Sequence, residues 1–187
     1  ADSGCDGTTA ATGAQTLVSA GVVGIAGAAC SGATLGAIEV AKAAGVPMVS
    51  YASTSPAITG YDDGGYLFRV VPSDAQQGVA LARTVEASES WYTAVISMTN
   101  DYGAGFAAAF TDAYDGEVCM SATYDEDTTD FSSIVASVME NGCDSVAMVT
   151  YATDGAALAE ELATQGFDGM VFDIGWKAID RKGREYS

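Results

Sequence analysis

No histidine occurs anywhere in the 187 residues, and lysine and arginine together number seven. The first absence removes the commonest general base of serine and cysteine hydrolases and the commonest nitrogen ligand of zinc. A hydrolase using Ser31, Ser53 or a cysteine as nucleophile therefore has no imidazole, and no Gly-x-Ser-x-Gly elbow is present to expose a serine. Ser–Lys chemistry would fall to Lys42, which the pattern sets in the middle of a helix rather than at a strand end. Catalytic residues are accordingly not expected. The scarcity of cations argues against nucleic acid: 25 acidic residues face those seven, giving a formal charge of −18, whereas phosphate binding needs the opposite sign. Long apolar runs are missing too, and none approaches the ~18 residues of a membrane span.

Metal and nucleotide signatures are also lacking. No C-x-x-C occurs, so a zinc site would need four scattered thiolates. The acidic run Asp125–Asp130 has no glycine at the sixth loop position and Ala136 at the twelfth, which excludes an EF-hand and leaves a solvated turn before a helix. Gly21, Gly24 and Gly27 superficially suggest a nucleotide loop, but they lie in and directly beside an expected strand, Val22–Ala26, rather than in a G-x-G-x-x-G following one. No metal and no cofactor are expected.

What is present begins with four cysteines, Cys5, Cys30, Cys119 and Cys143. Two disulfides fit an oxidising compartment, each closing a loop of about 25 residues and contributing about 3 kcal/mol; buried free thiols are the alternative. Four of the seven cations, Lys177, Arg181, Lys182 and Arg184, crowd the last eleven positions. That tail is read as either a different structural element or a non-native end. Upstream, the Lys-poor acidic surface is a solubility feature.

Apolar runs alternate with helical runs. Val22–Ala26, Val46–Tyr51, Tyr66–Val71, Thr93–Met98, Val118–Tyr124, Ser145–Val149 and Met170–Asp173 read as strands, several apolar throughout, as parallel strands covered on both faces should be. Ser31–Ala44, Ser73–Ser88, Gly103–Tyr114, Asp130–Asn141 and Thr153–Gln165 read as helices, the second opening on a Ser73-x-x-Gln76 capping box. Gly45, Gly142 and Gly166 stand where left-handed helix ends are expected. The alternation implies an α/β fold with parallel sheets and right-handed crossovers. Ser55–Gly65 reads as too irregular for a helix, and a domain boundary is expected after Val71.

Two hydroxyl-rich stretches, Ala29–Thr34 and Ser50–Ser55, lie where expected strands run out, the position at which open α/β sheets bind small ligands. The first also opens a helix, so its backbone N–H groups with Ser31 and Thr34 suit a carboxylate without a cationic side chain. Tyr102 and Tyr151 follow two other strands at equivalent points and offer aromatic faces and hydroxyls.

The stretches Cys30–Thr34, Ala44–Ser50, Phe68–Gly78, Asn100–Gly103 and Thr129–Ser132 carry a resemblance that runs nearly continuously from Cys5 to about Phe172. The chain resembles the periplasmic solute-binding proteins of ABC transporters that take up leucine, isoleucine and valine, the type I periplasmic binding fold shared with receptor ectodomains. That resemblance implies two lobes of doubly wound parallel sheet closing on a ligand: residues 1–71 as part of lobe one, 72–173 as lobe two, and 174–187 as an unassigned tail. It implies that Ser31 and Thr54 bind an α-carboxylate, that Ala52 and Ser53 offer backbone contacts, the former's carbonyl to the ammonium, and that Tyr102 and Tyr151 close over the ligand. It also implies a Cys5–Cys30 disulfide; the Cys119–Cys143 pair rests on spacing alone. Where amino-acid binders place an acidic partner for the ammonium, this chain has Asp173 in a shifted position. Family members are roughly twice this long, so the fold is expected to be incomplete at both ends, with exposed sheet edges. The implied role is capture of an amino acid or related carboxylate for an ABC permease, as a periplasmic or cell-surface monomer. A ligand-sensing ectodomain is the alternative.

Overall fold

Seven parallel strands and seven helices alternate along residues 1–174, the part of the chain that the computed structural model describes. The basic tail from Lys177 onward lies outside the described residues. The chain divides into two compact units, Ala1–Gln76 and Gln77–Ser187.

In the first unit, helix α1 (Gly7–Ser19) precedes β1 (Ile25–Ala26), α2 (Ser31–Ala43), β2 (Met48–Ser50), α3 (Pro56–Gly60) and β3 (Leu67–Arg69). The strands pair in parallel in the order β1-β2-β3, with Met48 opposite both Ile25 and Leu67. Met48 and Leu67 point into a core with Ile38, Ile58, Ala10 and Ala14. The alternate residues Val49 and Phe68 are 41% and 55% exposed, so the sheet face they occupy is largely uncovered.

Three expectations need correction here. Helix α1 was not anticipated, because its buried face is alanine rather than a stripe of large apolar residues. It nevertheless has a proper start, with the Asp6 carboxylate accepting from the Thr9 amide at 2.7 Å. The strand expected over Val22–Ala26 is only Ile25–Ala26, and the glycines before it form the turn out of α1, with Gly21 in the left-handed region at φ 78°. The stretch after Ser55 does contain a short helix, α3, started by the Ser55 hydroxyl accepting from the Ala57 amide and by Pro56 at its first position.

The second unit runs α4 (Asp74–Ala87, beginning just before the boundary), β4 (Tyr92–Met98), α5 (Asp101–Ala113), β5 (Glu117–Tyr124), α6 (Ser132–Glu140), β6 (Ser145–Val149), α7 (Ala152–Thr164) and β7 (Met170–Asp173). Its sheet has the order β5-β4-β6-β7. Along β4, Ala94, Ile96 and Met98 enter one core with Phe131, Val135 and Leu158, while Val95 enters another with Phe106 and Phe110. Strand β6 divides in the same way, Val146 and Met148 to the first and Ala147 and Val149 to the second. Burial on both faces explains why these strands read as unbroken apolar runs. The expected capping box before α4 is altered, since the Ser73 hydroxyl accepts from the Ala75 amide at 3.3 Å.

Both cysteine pairs are closed, Cys5 with Cys30 and Cys119 with Cys143, at Cα separations of 5.2 and 5.9 Å. The first ties the residues before α1 to the start of α2. The two helices approach so closely that a Cβ on Gly36 would stand 2.1 Å from the Gly7 carbonyl oxygen. Gly36→Ala is therefore expected to lower the unfolding free energy by about 2–3 kcal/mol, read from urea denaturation, because backbone rather than a flexible side chain must move. An unchanged midpoint would contradict this packing.

Candidate functional site

At the carboxyl end of the first sheet, short hydroxyl side chains take the place of ladder bonds. The Ala28 carbonyl accepts from the hydroxyls of Ser50 at 2.7 Å, Ser53 at 3.2 Å and Thr34 at 3.3 Å. Ser53 also reaches the Ala29 carbonyl at 2.9 Å and the Thr34 hydroxyl at 2.7 Å, and its own amide donates to the Ser50 hydroxyl at 3.1 Å. Ser31, at the first position of α2, is only 2% exposed, and its oxygen accepts from the Ser55 amide at 3.2 Å. The loop after β2 is thus stitched to the entrance of α2. Ser31, Ala52, Ser53 and Thr54 come together there. The Ser53 hydroxyl is committed to the loop wall, while Ala52 and Thr54 are half-buried.

The outer side of this loop is gripped from β3. The Arg69 guanidinium donates to the Thr54 and Ser55 carbonyls at 3.2 and 2.9 Å and also reaches the Thr59 hydroxyl. The Thr54 carbonyl additionally accepts from the Asp74 amide at 2.8 Å. Asp74 is fully buried; that burial pushes its carboxyl up to about 6, against the opposing effects of the Thr54 hydroxyl and the Arg69 charge. Sequence reasoning passed over Arg69 and Asp74, since a buried aspartate in so acidic a chain looks like one more surface acid.

In the second unit the strand order reverses between β4 and β6, and Tyr102 and Tyr151 stand just beyond those two strands. A reversal of this kind opens a crevice at the strands' carboxyl ends. The two rings stack, with centroids 5.9 Å apart and planes 7° from parallel, and the Tyr102 hydroxyl donates to the Ile174 carbonyl at 2.7 Å. Beneath them lies an acidic group. The Asp154 carboxylate accepts from the Tyr151 amide at 3.1 Å and from the Tyr124 hydroxyl, and Asp173 accepts from the Thr150 hydroxyl at 2.9 Å. Burial first, and the nearby Asp154 charge after it, raise the Asp173 carboxyl to about 6, although the Thr150 hydroxyl opposes the shift. Burial likewise raises the Tyr151 phenol, with Glu126 adding to it. Asp154 and Tyr124 were not singled out in the sequence; the available signal was Asp154 as the third residue of α7, three after Tyr151 at its N-cap.

Neither cluster contains an imidazole or a free thiol, and the second pairs the Thr150 hydroxyl with the Asp173 carboxylate at 2.9 Å. Lys42 lies near the far end of α2 from Ser31, about 17 Å along the helix axis, and pairs with Asp62 at 3.5 Å. All four cysteines are in disulfides. Among the described residues no group of three or more acidic or cysteine side chains is arranged to hold a metal ion, and no helix is long and apolar enough to cross a membrane.

The family profile "periplasmic binding protein" matches residues 1–182, and the chain belongs to that family. Its fold matches solved members. A leucine-binding protein, LivK, of Thermotoga maritima is 25% identical with a TM-score of 0.82, covering 90% of this chain and 49% of that one. The branched-chain amino acid transporter substrate-binding protein LivJ of Streptococcus pneumoniae, solved with isoleucine, is 26% identical at the same TM-score, covering 92% and 50%. Among curated proteins, metabotropic glutamate receptor 4 of Macaca fascicularis is 31% identical over 102 residues, 54% of this chain and 11% of the receptor. The chain thus spans about half the length of the binding proteins and about a tenth of the receptor.

Asp74 and Asp173 both titrate near 6 in the folded protein against an ordinary 3.8. Between those values the native state holds more protons than the unfolded one, so their contribution to stability falls as pH rises from about 4 to about 6 and stays at its lowest above that. The double variant Asp74→Asn/Asp173→Asn should therefore shift the slope of unfolding free energy against pH upward across this range, because it removes the two contributions that fall with pH. A slope unaltered by both substitutions would contradict the burial assigned to these carboxyls. Ser53→Ala, which removes the hydroxyl bridging Ala28, Ala29 and Thr34, should cost about 1–3 kcal/mol in the same assay.

Proposed function

We propose that the protein captures a small carboxylate-bearing solute, an amino acid of the branched-chain kind, and delivers it to an ABC permease from the periplasm or cell surface. It acts as a monomer, without cofactor and without altering its ligand. In this reading the first unit is the lobe that takes the carboxylate, at Thr54 and Ser31 beside the first turn of α2, with Ala52 and Ser53 offering backbone groups. The second unit is the lobe whose stacked Tyr102 and Tyr151 cover the solute, with Asp173 as the ammonium partner.

One observation carries the reading: a hydroxyl-lined loop, fixed against a helix entrance, in a chain of this family. Short hydroxyls and helix amides hold an anion by hydrogen bonds alone and leave room for a small molecule. The similarity to leucine- and isoleucine-binding proteins supports an amino acid. The similarity to a metabotropic glutamate receptor favours a second reading, a sensing ectodomain of the same fold.

Calorimetric titration of the intact protein with leucine, isoleucine, valine, glutamate, benzoate and 4-hydroxybenzoate tests the proposal. Binding of at least one, with the ligand recovered unchanged, is the expected result; silence across all six would contradict carboxylate capture, and a cleaved ligand would favour a hydrolase. Ser31→Ala should weaken the interaction by about 1–3 kcal/mol through loss of a hydrogen bond to a charged group.

A further inference from the structure

Two acids lie beneath the stacked tyrosines, and their surroundings give them different work. Asp154 is only 8% exposed, and its carboxylate is filled from inside the protein: the Tyr151 amide reaches both oxygens at 3.1 Å, and the Tyr124 hydroxyl donates to one of them. It caps α7 and is committed there. Asp173 is half-buried instead, at the last position of β7, and one of its oxygens accepts from the Thr150 hydroxyl at 2.9 Å. The main chain around it is fixed, because Asp173 stands opposite Met148 of β6, the Ile174 amide donates to the Met148 carbonyl at 3.0 Å, and the Ile174 carbonyl accepts from the Tyr102 hydroxyl at 2.7 Å. The remaining variable is the turn of the carboxyl about its own side-chain bonds, and the Thr150 hydroxyl sets it.

Thr150 owes its place to a missing side chain. It is fully buried, and Gly155, in the first turn of α7, packs so close that a Cβ there would overlap the Thr150 hydroxyl and stand 3.4 Å from the second Asp173 oxygen. We propose that Thr150 is a positioning residue for ligand selection: its hydroxyl, seated over Gly155, turns the Asp173 carboxylate to accept an amine, so that the protein separates amine-bearing carboxylates from amine-free ones of the same shape. The inference rests on the functional reading above, in which Asp173 meets the ligand's ammonium. A hydroxyl donor favours the ionised carboxylate and leaves its other lone pairs open, which is what an ammonium requires. It also opposes the burial and the Asp154 charge that raise the Asp173 carboxyl.

Calorimetry on the intact protein tests this with three matched pairs of probes: leucine with isocaproate, phenylalanine with hydrocinnamate, and glutamate with glutarate. The wild type should bind at least one amino acid more tightly than its amine-free partner. Thr150→Val should weaken that amino acid about tenfold, as expected for one hydrogen bond to a charged group, and leave the partner within about twofold. A role in packing alone would weaken both members alike. Thr150→Ser should keep the preference, and Gly155→Ala, which changes no polar group, should reduce it as Thr150→Val does. In an Asp173→Asn background the preference is already lost, so Thr150→Val should cost nothing further.

A wild-type preference that survives Thr150→Val, equal losses for both members of a pair, or a further loss in the Asp173→Asn background would overturn the inference while leaving carboxylate capture standing. A wild type that binds the amine-free partners as tightly as the amino acids would remove the ammonium from Asp173, and the inference with it. Silence of all six probes would overturn the carboxylate reading itself. Should Thr150→Val not fold, Gly155→Ala decides: an undiminished preference in that variant contradicts the proposal.

Discussion

The carbonyl of Ala28 is the point on which the first unit's strand ends depend. A parallel sheet runs into buried connections at its carboxyl edge, and each backbone group there must find a partner without water. Ser50, Ser53 and Thr34 supply that partner from three different segments. Long polar side chains would fill the space that these short ones leave, and apolar ones would strand the carbonyl at a cost of about 1–3 kcal/mol. The same hydroxyls tie the loop after β2 to the entrance of α2, with Thr54 between the anchored Ser53 and Ser55.

The second unit solves the strand-end problem differently. Its loops are capped by their own helices: Asn100 accepts from the Gly103 amide at 2.8 Å, and Asp154 from the Tyr151 amide. These caps place two tyrosines side by side where the strand order reverses. Beneath them the electrostatics run one way, because Asp154, Asp173 and Glu126 cluster there, whereas Arg83 is drawn off to Glu86 and Asp115.

The two central strands of the second unit were legible because two cores cover them, so that β6 was bounded to the residue and β4 within one. The first unit was harder to read. Val23 is 91% exposed, so the apolar look of Val22–Ala26 came from a turn rather than a strand. Alanine packing hid α1, and a proline with a serine cap made a helix of α3 inside a stretch rich in glycine and aspartate. Among the site residues, hydroxyls next to strand ends announce themselves by position. Asp74, Asp154 and Arg69 do not, since their burial is a product of tertiary packing and one sequence of net charge −18 offers no way to separate buried acids from solvated ones.

The most direct test is a crystal structure of the intact protein with its tightest-binding carboxylate. The account predicts the carboxylate within hydrogen-bond distance of the Thr54 hydroxyl and the first-turn amides of α2, with the Ser53 hydroxyl still on the Ala28 and Ala29 carbonyls. A carboxylate bound away from both Thr54 and the start of α2 would contradict it.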